Sequence, residues 1–146
     1  MKLLVCVDLS ESTDRIVAKA GEVARALSAK VWLLHVAEPE PAFIGLDVGP
    51  QTVRDSLSQE FHKDLRQVQE FAERLRKDGL DATALVVQGA TVETILSEAS
   101  KLEADMIVAG SHGHGAMYQL LVGSICEGVL RKAGCPVLVV PIREKK

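Results

Sequence analysis

Aromatic residues are scarce in this 146-residue chain: one Trp, one Tyr and three Phe, 3% in all. Proteins that hold nucleic acid combine basic stripes with rings on which bases stack. With few rings, a formal net charge of −3 and no basic run, the composition argues against a nucleic-acid partner. Cysteine is equally thin. Cys6, Cys126 and Cys135 are odd in number, far apart and set among apolar neighbours, so they read as buried reduced thiols rather than a disulfide framework. Long apolar runs are missing too. The opening MKLLVCVDLS is broken by Asp8, too soon for a signal peptide or a membrane span, and a cytoplasmic protein without membrane insertion is expected. Two phosphate-binding patterns are also lacking. There is no Gly-Lys-Ser/Thr of the P-loop, and no G-x-G-x-x-G follows the first apolar run.

What is present is an alternation. Apolar runs of strand length recur at Leu3 to Val7, Val31 to Val36, Ala82 to Val87, Met106 to Ala109 and Val137 to Val140. They do not alternate with polar residues, which marks strands covered on both faces, the habit of parallel sheets. Between them lie helical periodicities. Ile16, Ala20, Val23, Ala24 and Leu27 line one face after a cap at Ser10 or Ser12. Val53, Leu57, Phe61, Leu65, Val68, Ala72 and Leu75 line a longer helix closed by Gly79; Thr91 caps a third carrying Val92, Ile95, Leu96 and Ala99. Ile125, Val129 and Leu130 suggest a fourth, ending before Gly134. The expectation is one α/β domain over residues 1–146: a doubly wound, Rossmann-like, five-stranded parallel sheet of order 3-2-1-4-5 with helices on both faces. The connection Glu38 to Gln51 holds three of the five prolines and is read either as a lid or as a loose crossover.

Open parallel sheets bind ligands beyond the carboxyl ends of their strands. There the sequence places Asp8, Val36 and GSHGHGAMYQLLVGS, Gly110 to Ser124. Gly110, Gly113 and Gly115 let the backbone turn sharply after a strand, and Ser124 sits where a helix begins, with free amides and the positive end of a dipole suited to phosphate. Asp8 could cap the next helix, or meet a ribose hydroxyl, an adenine amine or Mg²⁺. Ser124 could serve as a plain N-cap and as a phosphate ligand at once. His112 and His114 are read as loop residues, His112 beside phosphate, rather than as zinc ligands with Cys126.

Gly110-x-x-Gly113, nine residues, then Gly123-Ser124 resembles the ATP-binding motif of the universal stress protein family. Asp8 followed by Ser10, the His35-Val36 pair and the closing CPVLVVP from Cys135 to Pro141 extend the likeness over nearly the whole chain. The resemblance implies adenosine near Asp8, adenine against the backbone of Val36 and ribose beside Gly110. It further implies phosphates at Gly113, Gly123, Ser124 and the Ile125 N–H, with Ser111 and His112 in the loop between. Cys6 departs from the proline that many relatives carry two places before the aspartate. The expected ligand is ATP, or another adenine nucleotide, with Mg²⁺ between the phosphates and no protein-bound metal. The implied role is nucleotide-responsive, regulatory or stress-protective, with at most slow hydrolysis, since no paired carboxylates or activated nucleophile can be assembled near the motif. The rivals are an ATP-activating enzyme that forms AMP and pyrophosphate, and an interaction protein with an empty pocket. Pro136 and Pro141 bracket an edge strand, and the family resemblance implies a homodimer through Val137–Val140, together with a downstream protein partner.

Overall fold

Leu3, Leu4 and Val5 are three consecutive residues with no exposed surface, which only a strand covered on both faces can accommodate. The computed structural model, which describes residues 1–38, 50–112 and 122–142, places them in β1 (Lys2–Cys6). The chain then runs α1 (Thr13–Leu27), β2 (Lys30–Ala37), α2 (Pro50–Lys77), β3 (Ala82–Gln88), α3 (Thr91–Leu102), β4 (Met106–Gly110), α4 (Ser124–Lys132) and β5 (Val137–Val140). All strand pairs are parallel, and the order is the expected β3-β2-β1-β4-β5.

Two apolar clusters sandwich the sheet. Leu3, Val5, Val31, Leu33 and Val108 face Ile16, Val17, Ala20 and Ala24 of α1 and Val68, Ala72 and Leu75 of α2. On the other face Leu4, Leu34 and Ile107 pack with Ile95 and Ala99 of α3 and Val129 of α4. Strand alternation explains the split, since successive side chains point to opposite faces. Connections therefore depart to the left on one face after β1 and to the right on the other after β4. The topological switch point lies between these two strands.

Three expectations need correction. Thr91 is the first residue of α3, not its cap. The N-cap is Ala90, which offers no side-chain bond, and the carboxylate of Glu38 supplies the cap from the end of β2, accepting from Thr91 N–H at 3.3 Å and from the Thr91 hydroxyl. The buried stripe of α4 is Cys126 and Val129, whereas Ile125 and Leu130 are 41% and 44% exposed. Close packing sets this rotation: a Cβ added at Gly128 would stand 2.9 Å from Cγ2 of Val92, so that position turns toward α3. Helix α2 begins at Pro50, inside the stretch read as a connection, in the first-turn position where proline's missing N–H costs nothing. The lid or crossover reading of the rest of that connection falls on residues 39–49, outside the described residues, as do the side chains of Val53 and Leu57. Gly79 closes α2 at φ +86°, with Leu80 N–H returning to the Leu75 carbonyl, the left-handed geometry glycine favours. Among the described residues no helix is long and apolar enough to cross a membrane.

Candidate functional site

Strand register decides which residues meet at the carboxyl edge. Cys6 pairs with Leu34, and Val7 N–H continues the ladder to the Leu34 carbonyl at 2.9 Å, which sets Asp8 level with Val36. Val5 pairs with Val108, so two residues on Val7 stands beside Gly110 and Asp8 beside Ser111. Val36, Asp8 and Ser111 thus form one row across β2, β1 and β4, about 10 Å long at ordinary strand spacing. This row crosses the switch point, where open α/β sheets take their ligands.

The first reversal, after β1, is held by side chains. One oxygen of the Asp8 carboxylate accepts from Ser10 N–H at 3.0 Å and from the Ser10 hydroxyl at 2.6 Å. The Ser10 oxygen in turn accepts from Ser12 N–H at 3.3 Å. Leu9 between them adopts φ +62°, a left-handed turn that the Asp8–Ser10 bonds brace. Asp8 is therefore a turn residue and not a helix cap; the N-cap of α1 is Ser12, which makes no side-chain cap bond.

The second reversal, after β4, is held by backbone and by one buried hydroxyl. Ser111 is 7% exposed. Its N–H continues the sheet to the Val140 carbonyl at 2.9 Å, and its carbonyl accepts from Gly123 N–H at 2.6 Å. Its hydroxyl accepts from Ile142 N–H at 2.8 Å and lies 3.1 Å from His112 Nδ1. Ser111 thereby joins β4, the end of β5 and the N-cap of α4. Sequence placed Ser111 in the motif but gave no sign of this joining role, which depends on bonds to Val140 and Ile142 far along the chain. Gly110 is closely packed: an added Cβ would stand 2.9 Å from Ile16 Cδ1 and 3.2 Å from Ile142 Cγ1.

Gly123 is the N-cap of α4, and the first intrahelical bond is Glu127 N–H to the Gly123 carbonyl at 2.9 Å. The amides of Ser124, Ile125 and Cys126 precede it and carry the positive end of the helix. Gly123's own amide is committed to Ser111, so the donors facing outward belong to the residues after it. The structure thus gathers Asp8, Val36, Gly110, Ser111, His112, Gly123, Ser124 and the Ile125 backbone at one edge. Gly113, together with His114 and Gly115, lies outside the described residues.

Two features escaped sequence reasoning. His35 Nδ1 is 3.0 Å from the Val7 carbonyl, and its Nε2 is 3.6 Å from Asp64 Oδ2 of α2. A carbonyl only accepts, so Nδ1 carries the proton, and the ring ties the end of β1 to α2. Thr13, 1% exposed, has a buried hydroxyl with no hydrogen-bond partner among the described residues, a state that costs about 1–3 kcal/mol. Burial raises all three thiols, Cys6 to about 12, with Cys126 adding to the effect on Cys6. Cys126 is 2% exposed in the α3/α4 core, where it cannot join His112 on a metal. Among the described residues no group of three or more His, Cys, Asp or Glu is placed to hold a metal ion.

Sequence comparison matches this arrangement to known proteins. The family model of the Universal stress protein family matches residues 1–141. The chain belongs to this family. A universal stress protein from the QAH/OAS sulfhydrylase 3′ region of Thermus aquaticus is 33% identical over 144 residues, covering 94% of this chain and 96% of the relative. The solved structure of MJ0577, from Methanocaldococcus jannaschii, superposes with a TM-score of 0.82 at 26% identity, over 99% of this chain and 97% of that one. A universal stress protein solved in complex with cAMP superposes with a TM-score of 0.68 at 25% identity, over 97% and 96%. The universal stress protein fold here is thus the five-stranded order of those structures.

Proposed function

We propose that this universal stress protein binds an adenine nucleotide, ATP foremost, along the carboxyl edge of β1 and β4, and works as a nucleotide-responsive regulatory or stress-protective factor. The observation that carries the reading is the Gly123 N–H bond to the Ser111 carbonyl. It seats the positive end of α4 beside the row of Val36, Asp8 and Ser111, so that a planar base and an anion can be met within one molecule's length. Adenine lies against the Val36 backbone, adenosine hydroxyls near Asp8 and ribose by Gly110. The phosphates lie among Gly113, Ser124 and the Ile125 N–H, with the bonded Gly123 as the cap behind them and Ser111 and His112 on their flank. The donor set suits this anion, being amides and hydroxyls at a helix start. Asp8 and Ser124 offer the hard oxygen ligands that Mg²⁺ takes alongside phosphate; when bound, the ion neutralises phosphate charge. The related protein solved with cAMP supports an adenine nucleotide as the ligand class.

Turnover in this reading is at most slow. Asp8, the carboxylate of the Val36–Asp8–Ser111 row, is already held by two Ser10 donors and is poorly placed to orient water. The outer edge of β5 pairs with a second copy through Val137–Val140, because β5 has only β4 beside it in the sheet and a bare strand edge invites a partner. The homodimer acts in the cytoplasm and passes its nucleotide state to a downstream protein.

Mass spectrometry of nucleotide released from freshly purified protein, followed by titration calorimetry, tests the proposal. ATP in the released fraction and saturable heat on titration are expected. No release, and no heat for ATP, ADP or AMP, would leave the interaction protein as the better reading. Rapid stoichiometric formation of AMP from labelled ATP would favour the ATP-activating enzyme.

A further inference from the structure

Thr13 carries the inference, which rests on the nucleotide reading above. It is the first residue of α1 and the start of that helix's inward stripe, followed by Ile16, Val17, Ala20 and Ala24. Ile16 already reaches the carboxyl end of β4, since its Cδ1 fills the space where a Gly110 Cβ would stand. One turn earlier on the same inward stripe, Thr13 stands about 4.5 Å nearer the helix start, and so nearer the carboxyl edge of the sheet. Helix and strands run in opposite directions across a β-α-β crossover, so the positive end of α1 meets the switch point there.

Thr13 is 1% exposed, and its hydroxyl has no partner among the described residues. The neighbouring polar groups are spent on one another. Thr13 N–H goes to the Ser10 carbonyl at 3.1 Å, Ile16 N–H to the Ser12 carbonyl at 3.1 Å, and Ser10 Oγ to Asp8. Asp14, next in sequence, pairs outward with Arg74 of α2 at 2.7 Å, so its charge is drawn from the cleft. A valine of the same shape would fill the space without leaving a hydroxyl unmatched. We infer that Thr13 is a further ligand-binding residue, whose hydroxyl donates a hydrogen bond to a phosphate oxygen of the bound nucleotide. It does so from the α1 face of the sheet, while α4 addresses the same anion from the other face. The two helix starts then grip the phosphate chain from both sides of the switch point, and affinity depends on the phosphates more steeply than α4 alone would allow.

The experiment compares the full-length wild type with Thr13→Val, Thr13→Ala and Thr13→Ser by calorimetric titration with ATP, ADP, AMP and adenosine, and by thermal melts without nucleotide. Thr13→Val and Thr13→Ala should weaken ATP binding about tenfold, the worth of one hydrogen bond to a charged group, and leave adenosine unchanged. Thr13→Ser should retain ATP affinity. The melting temperature of Thr13→Val without nucleotide should equal or exceed that of the wild type, which a purely structural role for the hydroxyl would not allow. The shortest nucleotide that shows the loss identifies the phosphate contacted. Wild-type ATP affinity in both Thr13→Val and Thr13→Ala would overturn the inference and leave the nucleotide reading standing. An equal loss for ATP and adenosine would assign Thr13 to the scaffold and also overturn it. If Thr13→Val fails to fold, Thr13→Ala decides. A wild type that binds none of the four ligands would remove both the inference and the reading beneath it.

Discussion

The two chain reversals at the carboxyl edge are built by opposite means. After β1, Asp8 and Ser10 close the turn within two residues of each other, with no partner from elsewhere in the chain needed for those two bonds. After β4, Ser111 takes its partners from Gly123, Val140 and Ile142, 12, 29 and 31 residues away. A local turn fixes only its own shape, whereas the Ser111 junction fixes where three elements stand relative to one another. The two should therefore respond differently to damage. Loss of a local bond is partly replaced by water, while a buried junction group stranded without its partner bears the full desolvation cost.

The largest effect should come from the junction's packing. Gly110→Val would put branched carbon where Ile16 and Ile142 already stand, at 2.9 and 3.2 Å from the first added atom. A loss of about 3 kcal/mol in urea unfolding is expected, with Gly110→Ala milder because the tip of Ile16 can give. An unfolding curve of Gly110→Val that overlays the wild type would show the junction to be loosely packed.

Next come the hydroxyls that typify each reversal. Ser111→Ala strands the part-buried Ile142 N–H beside a buried residue and should cost about 2 kcal/mol, while Ser10→Ala removes two bonds of a local turn that water can partly replace and should cost about 1 kcal/mol. Chemical denaturation of the pair ranks them directly. The reverse order would mean that the local turn, and not the long-range junction, holds this edge together.

The smallest effect lies beneath both reversals, on β1. Below pH 9 the Cys6 thiol is protonated whether the chain is folded or unfolded, and pH has no leverage through it. Above its ordinary value of 9.0 the unfolded thiol ionises, while burial holds the folded one protonated up to about 12. Unfolding then releases a proton, so stability falls as pH rises through this window. Cys6→Ala should flatten the fall between pH 9 and 11 in thermal melts, and an unchanged slope would mean that Cys6 ionises as freely folded as unfolded.

The site was unevenly legible for the same reason that its reversals differ. Asp8, Val36, Gly110 and Ser124 could be placed at strand ends and helix starts, because position in an α/β alternation follows from counting apolar runs. The Asp8–Ser10 turn is local enough to have been read, yet Asp8 was weighed as a helix cap, because a carboxylate just ahead of a helix satisfies either role. Glu38 as the cap of α3 had no local signal: the donor and acceptor residues are 53 apart, and Thr91 occupied the place where a cap is sought. The face of α4 was turned by about one residue because nine residues carry little periodicity, and Gly128 against Val92 decided the rotation. His35 reaching the Val7 carbonyl, and the unmatched hydroxyl of Thr13, were invisible for want of any sequence pattern that marks them.

By itself the sequence determined five parallel strands and their helices, because unbroken apolar runs can be satisfied only between two covered faces and the stretches between them carry helical periodicity. Tertiary structure alone decided which amides are spent and which polar atoms stay unmatched. Gly123 gives its N–H to the Ser111 carbonyl, the Ser111 hydroxyl oxygen accepts from Ile142 N–H, and Thr13 finds no partner among the described residues, since a hydrogen bond between distant residues exists only once packing has brought them within about 3 Å.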